Sequence, residues 1–179
     1  MQKMVTDYMQ TLGMQGGEFY ITMNPIDKPI TPYGQESVAF SVKTNVDQDL
    51  HPINKGVSGG ELSRLSLALQ TILTDNQDHA CIIFDEVDVG IGGKTADIVG
   101  TLLHDLAKYR QVLCITHLAQ VAAKGEHHLQ VTKKLLQQKT QTNIIELTNT
   151  QRIDEIARML GGSDLTPHAI AHAKEMVDA

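Results

Sequence analysis

Long apolar runs are missing from this sequence, so it gives no expectation of a membrane span. No apolar run approaches the roughly 20 residues that span a bilayer, and the N-terminus lacks a secretory pattern. Cysteine is scarce. Cys81 and Cys114 are the two present, and each sits inside an apolar strand-like run. That setting reads as buried thiols rather than a disulfide or metal site, and points to a reducing cytoplasm. Positive charge is also short. A net charge of −6 excludes a uniformly basic nucleic-acid-binding surface, though not a local basic patch. Lys124, Lys133, Lys134 and Lys139 are the densest basic stretch, and the plainer reading of them is a solvated strand edge. With 179 residues, 41% of them hydrophobic, the chain fits one domain with a sizeable core and room for a small appendage.

Two textures follow one another along the chain. Val5, Tyr8 and Leu12 are spaced for a short helix over residues 1–12, ended by Gly13, Gly16 and Gly17. Glu18 to Met23 and Ser37 to Thr44 are strand candidates, with Pro25, Pro29, Pro32 and Gly34 in the turn-rich link between them. Residues 13–54 thus form a small β region, and residues 55–179 an α/β region. In the latter, Ser58 can cap a helix Gly59 to Leu73 whose stripe is Leu62, Leu65, Leu69 and Ile72. A strand Ala80 to Phe84, a helix Thr95 to Tyr109, a strand Val112 to Ile115 and a short helix Leu118 to Lys124 come next. Edge strands Leu129 to Thr132 and Asn143 to Leu147 precede a helix Arg152 to Leu160, stopped by Gly161-Gly162. Thr166-Pro167 then opens a terminal helix. Alternating strands and helices indicate an α/β domain with a largely parallel sheet flanked by helices.

The chemistry-bearing residues fall at strand and helix ends. Asp85 and Glu86 close an apolar strand, at the edge where open α/β sheets bind ligands. An Asp there can hold Mg²⁺ while the next carboxylate deprotonates a water; an isolated Asp-Glu is also just a polar turn. His117 ends the next apolar strand, so its imidazole can reach the same crevice, or be satisfied locally in its turn. Two successive strand ends carrying Asp-Glu and then His are harder to ascribe to chance. Ser58-Gly59-Gly60-Glu61 offers a helix N-terminus suited to an anion, and equally an ordinary capped helix. Absent is a phosphate-cradling loop. Gly92-Gly93-Lys94-Thr95 matches the end of G-x-x-x-x-G-K-T, but the first glycine of that pattern is Asp88, which would aim negative charge at phosphates.

Taken in order, Ser58-Gly59-Gly60-Glu61, Asp85-Glu86, Asp88 and Ile115-Thr116-His117 resemble the ABC-type ATPase heads of the SMC superfamily: signature motif, Walker B, D-loop and switch histidine. The runs VSGGELSRLSLAL from Val57, FDEVDVGIGG from Phe84, ITHLAQVA from Ile115 and RIDEIARMLGG from Arg152 are similar to the RecN family of bacterial DNA repair proteins. That resemblance covers nearly the whole chain. Lys133 and the Thr140-x-Thr142 strand support this branch over other SMC-like heads.

The resemblance implies a P-loop NTPase-like C-terminal lobe, with residues 1–12 as the stub of a returning coiled coil. It implies that Asp85 helps hold Mg²⁺, Glu86 activates water and His117 contacts the γ-phosphate of ATP. Ser58, Gly59, Gly60 and Glu61 would reach nucleotide held by a second, identical head, with Asp88 at that interface. The implied partners are an N-terminal Walker A lobe of the same protein, the second head of a homodimer, and DNA. No membrane is implied, and the setting is cytoplasmic and nucleoid-associated. Two other readings stand beside it: a self-sufficient small NTPase using Lys94, and a non-catalytic interaction module. Equilibrium binding of Mg-ATP to this chain and to Lys94→Ala separates the first of these from the half-site reading. We expect no binding by either; tight binding lost in Lys94→Ala would make the chain an enzyme by itself.

Overall fold

Val5, Met9 and Leu12 recur at one-face helical spacing, and the computed structural model buries all three completely. It describes every residue except 28, 29, 31, 33, 74–80, 137, 138, 163, 164 and 179, and the side chains of 134–136 and 139. Pro29 and Ala80 therefore lie outside the described residues, as do the side chains of Lys134 and Lys139. The chain divides into two compact units, Met1–Ile115 and Thr116–Ala179.

In the first unit, α1 (Gln2–Thr11) packs on β1 (Glu18–Pro25) and on α2 (Gly59–Ile72). β1 pairs antiparallel with β2 (Glu36–Lys43), which pairs in turn with the two-residue β3 (His51–Pro52). Phe19 faces Val42 across the β1–β2 ladder and both are buried. At the far end of the hairpin Met23 and Val38 face each other in solvent. Lys43 bonds Glu18 at the buried end, and this pairing holds the Glu18 carboxyl below its ordinary pKa.

The α/β part of this unit is β4 (Cys81–Phe84), α3 (Gly93–Ala107) and β5 (Gln111–Cys114). α3 buries Ala96, Val99, Gly100, Leu103 and Leu106, an uninterrupted helical stripe that packs on β5 and α2. β4 and β5 pair in parallel, Phe84 opposite Cys114. Among the described residues this is the one parallel pair; the remaining strands are antiparallel. The expected buried strands are thus half-buried. Phe84 points inward, whereas Ile83 is 65% and Ile115 60% exposed, and Leu113 lies on the same open face. Cys81 is exposed too, against the expectation of two buried thiols. Cys114 is half-buried, and burial, with Asp88 and Asp85 nearby, pushes its thiol up to about 12.

The stripe expected on α2 holds at Leu65, is half-buried at Leu69 and Ile72, and is corrected at Leu62. Leu62 is exposed, and the buried residues are Gly60, Arg64, Leu65, Leu67 and Ala68. The helix has turned so that an arginine lies inside, where acceptors exist for it.

The second unit holds α4 (Ala119–Ala123), the hairpin β6 (Leu129–Leu136) and β7 (Lys139–Glu146), α5 (Asn149–Gly161) and α6 (Pro167–Asp178). The hairpin runs longer than its sequence indicated, in unbroken register from Leu129↔Glu146 to Leu136↔Lys139. Thr148 and Gln151 form a capping box that starts α5 three residues before Arg152, and Gly162 ends it at φ +82°. Ala119, Ala123, Ile156, Ala157 and Ala173 make the core, small residues that let α4, α5 and α6 approach closely.

Inside that unit Arg152, buried, donates to the Ala123 carbonyl at 2.6 Å, tying α5 to the end of α4. Glu155 accepts from Gln130 at 2.7 Å and from Arg158 at 2.7 and 2.8 Å. The Arg158 bonds lower the Glu155 pKa, burial opposes them, and Gln130 adds to the lowering. A depressed carboxyl contributes its stability in full above the ordinary carboxylate range and loses it as pH falls through the lowered value. Glu155→Gln should therefore cost about 1–2 kcal/mol at neutral pH, a modest figure because Arg158 is half exposed, and should flatten the acid limb. Urea unfolding at neutral and acid pH checks this; an equal cost at both would remove the ion pair from the account.

Candidate functional site

Ser58 sits just before α2 in extended backbone and caps it. Its hydroxyl accepts from the Glu61 amide at 3.3 Å, and the Glu61 carboxylate accepts from the Ser58 amide at 3.0 Å and the Ser58 hydroxyl at 2.7 Å. Burial raises the Glu61 pKa, but hydrogen bonds from Ser58 and Thr44 outweigh it, so the net shift is downward. A negative Glu61 at the first turn suits the positive end of the helix. Ser58 and Gly59 lie at the surface; Gly60 is buried.

The carboxylate turn lies against this helix end. Asp85 and Glu86 follow β4 and are both exposed. Glu86 takes φ +58°, the one left-handed non-glycine among the described residues. Such a backbone costs an extended acidic side chain about 1–2 kcal/mol and persists only where neighbours impose it. The neighbours are on α2. Ser63 donates its hydroxyl to the Asp85 carbonyl at 2.7 Å. Arg64, 4% exposed, donates Nη1 to the carbonyls of Val89 at 2.8 Å and Val87 at 3.4 Å. A Cβ on Gly60 would meet the carbonyl oxygens of Glu86 and Val89, each at 3.1 Å. Within the turn, the Val89 amide donates to the Glu86 carbonyl at 3.2 Å and the Ile91 amide to that of Asp88 at 3.5 Å.

Asp88 is buried and close enough to Arg64 to oppose the lowering that burial imposes on the guanidinium. The position where a phosphate loop needs its first glycine is therefore an inward carboxylate. The Val89 and Ile91 amides are directed to carbonyls of their own turn. Gly92 and Gly93 open α3 without a side-chain cap, and Lys94 stands exposed.

The structure thus brings Ser58, Gly59, Gly60 and Glu61 together with Asp85, Glu86 and Asp88 in the first unit. His117 belongs to the second. It is exposed, in a turn where Thr116 Oγ1 accepts from the Leu118 amide at 3.0 Å. Ser63 and Arg64, which hold the carboxylate turn, are residues that sequence reasoning did not single out. The available signal was spacing: Arg64 falls four residues after Gly60 and four before Ala68, on the buried stripe of α2.

No protein-family model matches the chain. Among solved structures it is similar to the Smc head domain with a coiled coil and joint from Pyrococcus yayanosii, with a TM-score of 0.61 and 17% identity, covering 87% of this chain and 28% of that one. It is also similar to a chain solved in work on ATP-driven dimerisation and DNA-stimulated activation of SMC ATPases, with a TM-score of 0.53, 15% identity, and 91% and 92% of the two chains covered. At these identities the likeness is one of fold: the chain has the architecture of an SMC-type ATPase head.

Sequence narrows the class. The chain is 46% identical over 179 residues to the DNA repair protein RecN of Vibrio cholerae, covering all of this chain and 32% of that protein. It is 44% identical over 174 residues to RecN of Haemophilus influenzae, covering 97% of this chain and 31% of that protein. It belongs to the RecN family, corresponds to its C-terminal part, and spans about a third of the length of these relatives.

The two glycines of the turn predict opposite outcomes. Gly59→Ala would set a methyl 2.6 Å from a Glu86 carboxylate oxygen, the mobile end of a side chain, so stability should change by less than about 0.5 kcal/mol. Gly60→Ala meets backbone and should cost about 1–3 kcal/mol. Chemical denaturation of both variants measures the difference; equal costs would mean that the turn is not pressed against α2.

Proposed function

We propose that this chain is the part of a RecN-type ATPase head that supplies the signature turn, the catalytic carboxylates and the switch histidine to ATP hydrolysis in DNA double-strand-break repair and recombination. The observation that carries the reading is the packing of Ser58-Gly59-Gly60-Glu61 against Asp85-Glu86 in one corner. ATP would be bound fully only with a Walker A lobe, and would lie between two heads. Ser58, Gly59 and Gly60 would approach the nucleotide of the opposite head, while Glu61 holds the cap that fixes them. Asp88, its side chain turned inward, would contribute to head pairing through the shape of the loop it anchors.

The donor set fits Mg²⁺. Two exposed carboxylates stand at the strand end, and no cluster of three or more metal-binding side chains occurs among the described residues. An ion held by one or two carboxylates plus substrate phosphates and water needs no more. Asp85 would hold it, and when bound it would neutralise charge on the phosphates. Glu86 would accept the proton of the attacking water, and His117 would donate to the γ-phosphate. DNA, a homodimeric second head and a cytoplasmic, nucleoid-associated setting belong to the same proposal. No helix among the described residues is long and apolar enough to cross a membrane. The open face of Ile83, Leu113 and Ile115 favours a sheet completed by further chain, as a Walker A lobe would complete it.

In a complete head, Glu86→Gln should retain nucleotide binding and lose turnover by about 100-fold or more, the scale of a lost general base. Ser58→Arg should spare binding by one head and block ATP-dependent pairing. Steady-state hydrolysis, nucleotide titration and sizing measure these outcomes. Unchanged turnover in Glu86→Gln would take water activation away from Glu86, and normal pairing in Ser58→Arg would exclude the contact across heads.

A further inference from the structure

Every backbone carbonyl from Asp85 to Val89 is held or closely faced, and most of the holding comes from α2. Ser63 takes the carbonyl of Asp85, and Arg64 takes those of Val87 and Val89. The Glu86 carbonyl lies against the Cα of Gly60 and accepts from the Val89 amide, and the Asp88 carbonyl accepts from Ile91. Glu86 itself is left-handed at φ +58°, a conformation uncommon for any residue but glycine. The guanidinium has Asp88 and Glu61 as its charged neighbours, the first from the carboxylate turn and the second from the capping box. Its Nε, buried, has no hydrogen-bond partner, so it is held in place by what Nη1 and these charges gain.

We propose that Arg64 and Ser63 are positioning residues for Glu86, locking the catalytic turn to the signature helix so that the carboxylate and the N-terminus of α2 move as one body. This rests on the reading of Glu86 as the group that activates water. The consequence is specific. A phosphate seated on the N-terminus of α2 would fix the helix, and through three backbone hydrogen bonds would fix the Glu86 backbone as well. The signature turn would then do more than contact nucleotide: it would set the aim of the carboxylate in its own head. Arg64 suits this role better than lysine, because a planar guanidinium fork reaches two carbonyls that a single ammonium cannot reach from the same stem.

The test separates the clamp from the chemistry. In this 179-residue chain, nuclear magnetic resonance would read the Glu86 Cα and Cβ shifts and its amide coupling, which report the sign of φ, for wild type, Arg64→Lys and Ser63→Ala. In the complete head, kcat and KM for ATP would be measured for the same variants. The expected result is a Glu86 backbone that leaves the left-handed region and a kcat lowered about tenfold to a hundredfold, with KM within about twofold, as for a catalytic group misplaced by about an ångström. A Glu86 backbone unchanged in both variants would overturn the proposal. A backbone that moves while kcat stays constant would keep the clamp and remove Glu86 from water activation. Should Arg64→Lys not fold, Ser63→Ala carries the comparison, since it deletes one hydroxyl at a partly exposed position and leaves the buried charge in place.

Discussion

A guanidinium buried beneath a helix N-terminus must find acceptors, and Arg64 finds them in the carbonyl oxygens of Val87 and Val89. Much of the first unit follows from that requirement. The α2 helix turns Arg64 inward, so Leu62 goes to the surface and Gly60 to the interior. Gly60 must be glycine-sized because two carbonyls press against it. Asp88 is drawn inward as a counter-charge, which closes the turn that begins at Glu86. The left-handed Glu86 is the residue on which these constraints converge.

The same corner carries two of the runs by which the chain is recognised as similar to RecN. Its carboxylates Asp85 and Glu86 are exposed, while its amides at Val89 and Ile91 are used within the turn. The β4–β5 face is open, since a parallel pair bare on one side leaves Ile83, Leu113 and Ile115 in water. That open face accords with a chain that spans about a third of its RecN relatives.

The second unit is organised by a different device. Its core is mostly alanine, so helices approach closely, and the buried polar groups are tied to specific partners: Arg152 to the Ala123 carbonyl, Glu155 to Gln130 and Arg158. The RIDEIARMLGG run that supports the RecN branch is thus largely structural on its buried side. Arg152, Glu155, Ile156 and Ala157 are its buried positions, and together they bind α5 to α4 and to the β6–β7 hairpin.

The sequence by itself determined the order of elements and the chemistry of their ends. Caps, glycine stops and apolar spacing are local, so the Ser58 cap, the Gly161-Gly162 stop and the helix over residues 1–12 could be read without a fold. The site residues were legible for the same reason: Ser-Gly-Gly-Glu and Asp-Glu are contiguous runs. Tertiary structure alone decided what covers what. An apolar strand reads the same whether one face or two are covered, which is why Cys81 and Ile83 looked buried and are not. An arginine between leucines reads as surface until its acceptors are known, and these lie more than 20 residues away in sequence, at Val87 and Val89. Backbone strain at Glu86 is likewise invisible in a string of letters, because it is imposed by a neighbouring helix rather than chosen by the residue.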